Sequence, residues 1–202
     1  PFHLGSTFKG EQPSTINDFF DLEKFPGKRG IHTWGNGIVE MALYASGVAI
    51  PDIYDVLDTQ EGQDMVFAKL DTIKDDVVFW SSGAKPLDLV NSGEVSMSLA
   101  YNGRIGGAVL ADGADYVTVW DGQVLEEEWL VLVTGAPNRA AAIHFLIHAS
   151  ATEQQAGQAR WINYAPMRPS ALPIMEAGEP WFNPGLATEA NIMEHMPTTD
   201  EH

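Results

Sequence analysis

The 202-residue chain carries 11 lysines and arginines against 28 aspartates and glutamates, a formal charge of −17 at pH 7, and no cysteine. So acidic a surface repels a phosphate backbone and argues against a nucleic-acid partner, and the lack of thiols excludes disulfide frameworks, thiolate zinc sites and cysteine nucleophiles. No apolar run reaches the roughly 18 residues that would span a bilayer, while the length suffices for a sizeable core in one large domain or two small lobes.

Taken in chain order, Ile16 to Phe25 reads as a short helix, with Thr15 as its N-cap, Asp18 three residues on, and Pro26-Gly27 as the stop. "RGIHTW" reads as a buried strand, and residues 36–46 place Ile38, Met41, Ala42 and Ala45 at helical spacing before Gly47. A second strand-and-helix unit follows, with Gln60 to Ile73 helical and "DDVVFW" the next strand. "AKPLDLVNSG" is a short helix closed by Gly93. In "GEVSMSLAYNGR" Val95, Met97 and Leu99 alternate with small residues, as in a strand buried on both faces. "GRIGGAVLADG" is the following helix, and "DYVTVW" and "EWLVLVTG" are further strands. Strands alternating with helices predict crossovers and a largely parallel sheet. "PNRAAAIHFLIHAS" reads as an amphipathic helix with Pro in its first turn, "TEQQAGQARW" as another, and the Pro- and Gly-rich tail beyond Tyr164 as loop with short helices.

Enzymatic motifs are scarce. His144 and His148 have the i, i+4 spacing of two metal ligands, but Phe145 follows His144, so H-E-x-x-H fails and an exposed polar face is the better reading. There is no G-x-S-x-G elbow, and "GRIGG" matches neither phosphate-loop pattern. No metal and no cofactor is expected. Glu126, Glu127 and Glu128 precede a predicted strand and are the only acid/base candidates for an α/β enzyme.

The aromatic residues are more informative. Trp34, Trp80, Trp120 and Trp129 fall at predicted strand ends or junctions, where open α/β sheets bind ligands. Aromatic walls with one or two carboxylates hold an ammonium group by cation–π and charge-assisted bonds, which predicts a binder of amines more readily than a catalyst.

The segments "FKGEQPSTINDFFDLEKFPGKRG", "YDVLDTQEGQDMVFAKLDTIKDDVVFW", "NSGEVSMSLAYNGR", "VTGAPNRAAAIHFLIHASATEQQA" and "INYAPMRPSAL", in that order, resemble the periplasmic solute-binding proteins of bacterial ABC importers, in the spermidine/putrescine-binding family. The resemblance implies a bilobal, type II periplasmic-binding-protein-like α/β fold that closes on a solute and delivers it to an inner-membrane ABC permease. It also implies that the chain is the carboxyl-terminal part of a longer protein whose amino-terminal lobe is missing. Residues 1–8 would then be a crossover segment, 9–104 the second lobe, 105–158 the returning part of the first lobe, and 159–202 a final crossover and tail packing on the second lobe. It further implies ligand-side rings at Tyr101 and Tyr164, and an amine-gripping acid at Glu128. The loop Trp34-Gly35-Asn36-Gly37 lacks the acids that polyamine binders carry there, and Arg104 adds a cation nearby. The candidate ligand-binding set is therefore Trp34, Asn36, Trp80, Tyr101, Arg104, Glu128 and Tyr164. The expected solute is a small polyamine-like amine, with a zwitterionic or anionic solute of the amino acid or γ-amino acid type as the alternative.

Overall fold

Five short apolar segments, β1 (Phe2–Leu4), β2 (Arg29–His32), β3 (Val77–Trp80), β4 (Met97–Ser98) and β5 (Tyr116–Thr118), form one sheet in the order β3-β2-β4-β1-β5. The computed structural model describes residues 1–35, 37–126, 129–159, 161–162, 164–176 and 192–193. They divide into two units, the first comprising Pro1–Leu125 with the strand at 192–193 and the second running from residue 126 to 176.

In the first unit β2 runs parallel to β3 and to β4, with Arg29 opposite Val77 and Met97, and His32 opposite Trp80. Helices make these crossovers. They are α2 (Ile38–Ala45), α3 (Ile53–Leu57) and α4 (Gln60–Asp71) between β2 and β3, α5 (Lys85–Asn91) between β3 and β4, and α6 (Asn102–Asp112) between β4 and β5. The expectation of a largely parallel sheet is corrected at β1, which lies antiparallel to both neighbours, Phe2 facing Ser98 on one side and Thr118 on the other. No strand–helix–strand crossover delivers β1 to its place, so the rule that makes such strands parallel does not act on it. A separate parallel pair joins β6 (Gln123–Val124) to β7 (Ile192–Met193).

Helix faces close over the sheet through Ile16, Phe19, Leu43, Ile53 and Leu89, joined by Ile73 in the turn after α4, each no more than 1% exposed. At roughly 25 cal/mol per Å² of apolar surface, each such side chain contributes about 1.5–3 kcal/mol. The close approach of β2 and β4 requires glycine at position 30, since a Cβ there would lie 2.8 Å from the Cβ of Ser98.

Helix α1 (Ile16–Phe20) starts as its sequence predicts: the Asp18 carboxylate accepts from the backbone N–H groups of Ser14 at 2.8 Å and Thr15 at 2.9 Å. It ends five residues earlier than Phe25, and Arg29 supplies the reason. That side chain is fully buried and donates to the carbonyls of Phe19, Gly27 and Phe25 at 2.6 Å each and of Asp21 at 3.3 Å. Carbonyls gathered around one guanidinium cannot all stay aligned along a helix axis, so the chain turns around the cation instead. Burial lowers the Arg29 pKa to about 10, against the raising influence of Asp76 and Asp21.

The second unit is helical: α7 (Arg139–Ala149), α8 (Thr152–Ala159) and α9 (Leu172–Glu176). Its buried cluster is small, made of Ala156, Ala159, Ala171 and Met175. The strand predicted over "EWLVLVTG" is corrected: residues 129–133 have no strand structure, and Trp129, Leu130, Val131 and Val133 are between 64% and 74% exposed. A strand exists only with a ladder partner, and none of the described residues offers one here. The amphipathic expectation for α7 also needs correction, because no side chain of this helix is buried and Phe145 and Ile147 lie exposed. His144 and His148 are exposed as well.

Candidate functional site

Because β2, β3 and β4 are parallel, their carboxyl ends open at one edge of the sheet, the place where α/β sheets present ligand-binding side chains. His32 is the last residue of β2, Trp80 the last of β3, and Tyr101 the N-cap of α6 just beyond β4. Register brings the first two together, since His32 pairs with Trp80 and the Thr33 N–H donates to the Trp80 carbonyl at 2.9 Å.

The result is a cluster of rings meeting edge to face. His32 stands 4.5 Å from Trp80, 4.8 Å from Trp34 and 6.5 Å from Tyr101, centroid to centroid, and Trp80 stands 6.2 Å from Tyr101. Such arrangements align ring edges with the electron-rich faces of their neighbours. Trp80 is buried, whereas Trp34 is 65% exposed and forms the outer part of the cluster. The turn after β3 passes close by at Gly83, where a Cβ would lie 3.4 Å from the Tyr101 ring and 3.8 Å from Arg104 Nε. Arg104, exposed on the first turn of α6, brings a cation to the rim of the cluster.

Of the expected site residues, Trp34, Trp80, Tyr101 and Arg104 come together at this edge. Tyr164 belongs to the second unit, where it is half-buried. Asn36 and Glu128 lie outside the described residues, as does Glu127. Trp120 follows β5, which β1 separates from β4, and Trp129 is exposed in the second unit. His32 was missed by sequence reasoning. The only signal available was its place beside Trp34 in "RGIHTW", and its neighbours across the sheet appear only with the register.

Elsewhere in the first unit, polar contacts tie helices to the sheet. Asp121 accepts from the Ile16 N–H at 2.9 Å and from the Tyr44 hydroxyl at 3.2 Å, linking α1 and α2 to the end of β5. Burial raises the Tyr44 pKa, and the Asp121 charge adds to it. Among the described residues no three His, Asp or Glu side chains gather as a metal ion would require. A depression of about 340 Å³ in the second unit, lined by Ser150, Gln155, Met167, Arg168 and Pro169, has its cation engaged, since Arg168 Nε donates to the Ser150 carbonyl at 2.6 Å.

Residues 6–188 match the bacterial extracellular solute-binding protein family. A gamma-aminobutyric acid-binding protein of Pseudomonas aeruginosa is 38% identical over 170 residues, which cover 84% of this chain and 48% of that protein. The solved structure of a GABA receptor superposes with a TM-score of 0.79 at 31% identity, over 96% of this chain and 59% of that one. The spermidine/putrescine-binding protein PotD of Streptococcus pneumoniae superposes with a TM-score of 0.69 over 99% of this chain and 61% of its own, but at 11% identity, a likeness of fold alone. The chain thus spans about half the length of its curated relative. A parallel-stranded edge closed by rings, a periplasmic-binding-protein-like fold and a family match across nearly all its length agree: this chain belongs to the bacterial extracellular solute-binding proteins.

Proposed function

We propose that the protein carrying this chain is the periplasmic receptor of an ABC importer, a binder and not an enzyme, which captures a small zwitterionic ω-amino acid of the γ-aminobutyrate type and hands it to an inner-membrane permease. One observation carries the choice of solute: the ring cluster has Arg104 at its rim, beside Tyr101 and Gly83. A guanidinium pairs with a carboxylate through parallel N–H···O bonds, and an aliphatic chain of a few methylenes packs against flat aromatic walls. The loop from Trp34 to Gly37 carries no acid, which favours a solute that brings its own negative charge to this edge. The relative named for gamma-aminobutyric acid supports the same choice. The family resemblance alone supports Glu128 as an acid for the solute's ammonium and Tyr164 as a further ligand-side ring.

A polyamine keeps part of its support, because stacked rings also hold ammonium groups. The two readings differ in what Arg104 does, attracting a carboxylate in one and repelling a diamine in the other. Calorimetric titration of wild type and Arg104→Gln with γ-aminobutyrate and with putrescine separates them. The zwitterion reading expects about ten-fold or greater weakening for γ-aminobutyrate in the variant. Putrescine bound tightly by wild type, and more tightly still by Arg104→Gln, would overturn it.

A further inference from the structure

His32 sits at the middle of the ring cluster and is in contact with three of its rings. Its Nδ1 accepts the backbone N–H of Trp34 at 2.9 Å. A ring nitrogen that accepts carries no hydrogen, so the imidazole is neutral with its proton on Nε2. The Nε2–H has no hydrogen-bond acceptor among the described residues, and the groups packed around it are aromatic rings. A second donor nearby also lacks an acceptor and, unlike the half-buried His32, is buried. Trp80 is 4% exposed, and its indole Nε1–H makes no hydrogen bond. Buried N–H groups are rarely left unpaired in folded proteins, and where they persist a ligand is a common reason.

Neither the indole nor a guanidinium can accept a hydrogen bond, and the single acceptor of His32 is occupied by Trp34. The side-chain nitrogens left at this edge, on His32, Trp80 and Arg104, are therefore all donors. We propose that His32 contacts the solute directly and helps set its specificity: its Nε2–H, with the unpaired Trp80 Nε1–H beside it, donates to the carboxylate that Arg104 neutralises. This rests on the zwitterion reading and adds a direction to it, with the solute's acid end against the carboxyl ends of β2 and β3 and its amine end away from them.

Two amides test the assignment, because each reproduces one half of the imidazole. In His32→Asn the side-chain oxygen replaces Nδ1 as acceptor for the Trp34 N–H, and the donor at the Nε2 position is lost. In His32→Gln the longer side chain can put an amide N–H where Nε2–H was. The full-length protein carrying this chain is titrated with γ-aminobutyrate by calorimetry, with melting temperature recorded as the control for folding. We expect His32→Asn to melt with wild type but bind about ten-fold more weakly, and His32→Gln to recover most of that loss. The reverse order, Asn restoring affinity and Gln failing, would assign His32 to holding Trp34 alone and overturn the proposal. So would equal affinity in all three. A nitrogen-15 spectrum of the wild-type imidazole gives a second readout: the Nε2–H resonance should move on addition of γ-aminobutyrate, and an unmoved resonance in a saturated sample overturns the contact. Wild type that binds putrescine and no carboxylate solute overturns the zwitterion reading and this proposal together, whereas wild type that binds γ-aminobutyrate without regard to His32 overturns this proposal alone.

Discussion

Replacing Arg29 should cost the first unit far more stability than the loss of one charge suggests. The guanidinium is fully buried and satisfies four carbonyls, those of Phe19, Asp21, Phe25 and Gly27, while its face packs 5.7 Å from the Phe19 ring. Arg29→Met keeps most of the volume and removes every donor. Orphaned buried acceptors cost about 1–3 kcal/mol each. Against this stands the relief of burying no charge: a pKa lowered from 12.5 to about 10 corresponds to roughly 3 kcal/mol. With all four carbonyls orphaned the cost is about 4–12 kcal/mol, which leaves a net loss of at least about 1 kcal/mol. Arg29→Lys sharpens the test, because it keeps the charge but presents a single ammonium in place of a planar fork, so it should recover little. Urea unfolding followed by tryptophan emission measures both variants, with an unchanged m-value as the sign that only stability has moved. A lysine variant as stable as wild type, within about 0.5 kcal/mol, would refute the claim that fork geometry holds the turn from Phe19 to Gly27.

Other consequences are more local. Burial pushes the Asp18 carboxyl up, but the N–H groups of Ser14 and Thr15, the Thr15 hydroxyl and Lys24 together hold it below its ordinary value of 3.8. Its contribution is therefore complete above that value and lost as pH falls through the lower folded one. Asp18→Asn should cost about 1 kcal/mol at pH 7 and flatten this acid dependence in urea titrations, and an unchanged acid limb would contradict the assignment. Gly30→Ala should force β4 away from β2 and cost about 1–3 kcal/mol, visible as a lowered midpoint in the same assay; a neutral effect would mean that Ser98 yields freely. The exposed apolar run from Trp129 to Val133 should make the isolated 202-residue chain self-associate in sedimentation, and Val131→Glu with Val133→Glu should reverse it.

Much of the first unit is legible in the sequence because its signals are local. Gly47 and Gly113 end α2 and α6 as helix-closing residues do, with positive φ values of 92° and 65°, and Thr59 caps α4 by accepting from the Gly62 N–H at 3.0 Å. Trp34 and Trp80 are readable as candidates because they close predicted strands, and Tyr101 because it follows an alternating run and matches a ligand-side ring in the family resemblance. What escapes is decided at long range. The direction of β1 depends on β4 and β5, about a hundred residues away, and nothing within Phe2–Leu4 encodes it. Residues 129–133 have a strand's composition but no ladder partner among the described residues, and pattern without partner gives no strand. Arg29 looks like a surface cation until four backbone carbonyls are seen around it. His32 becomes a hub only through its register with Trp80.

The most direct test of the receptor account is calorimetry of the full-length protein carrying this chain, titrated in turn with γ-aminobutyrate, butyrate and putrescine under one set of conditions. The account predicts saturable one-to-one binding of γ-aminobutyrate, with butyrate and putrescine each at least about ten-fold weaker because each lacks one of the two charges that the site is proposed to grip. Putrescine binding as tightly as γ-aminobutyrate, or no heat with any of the three, would contradict it.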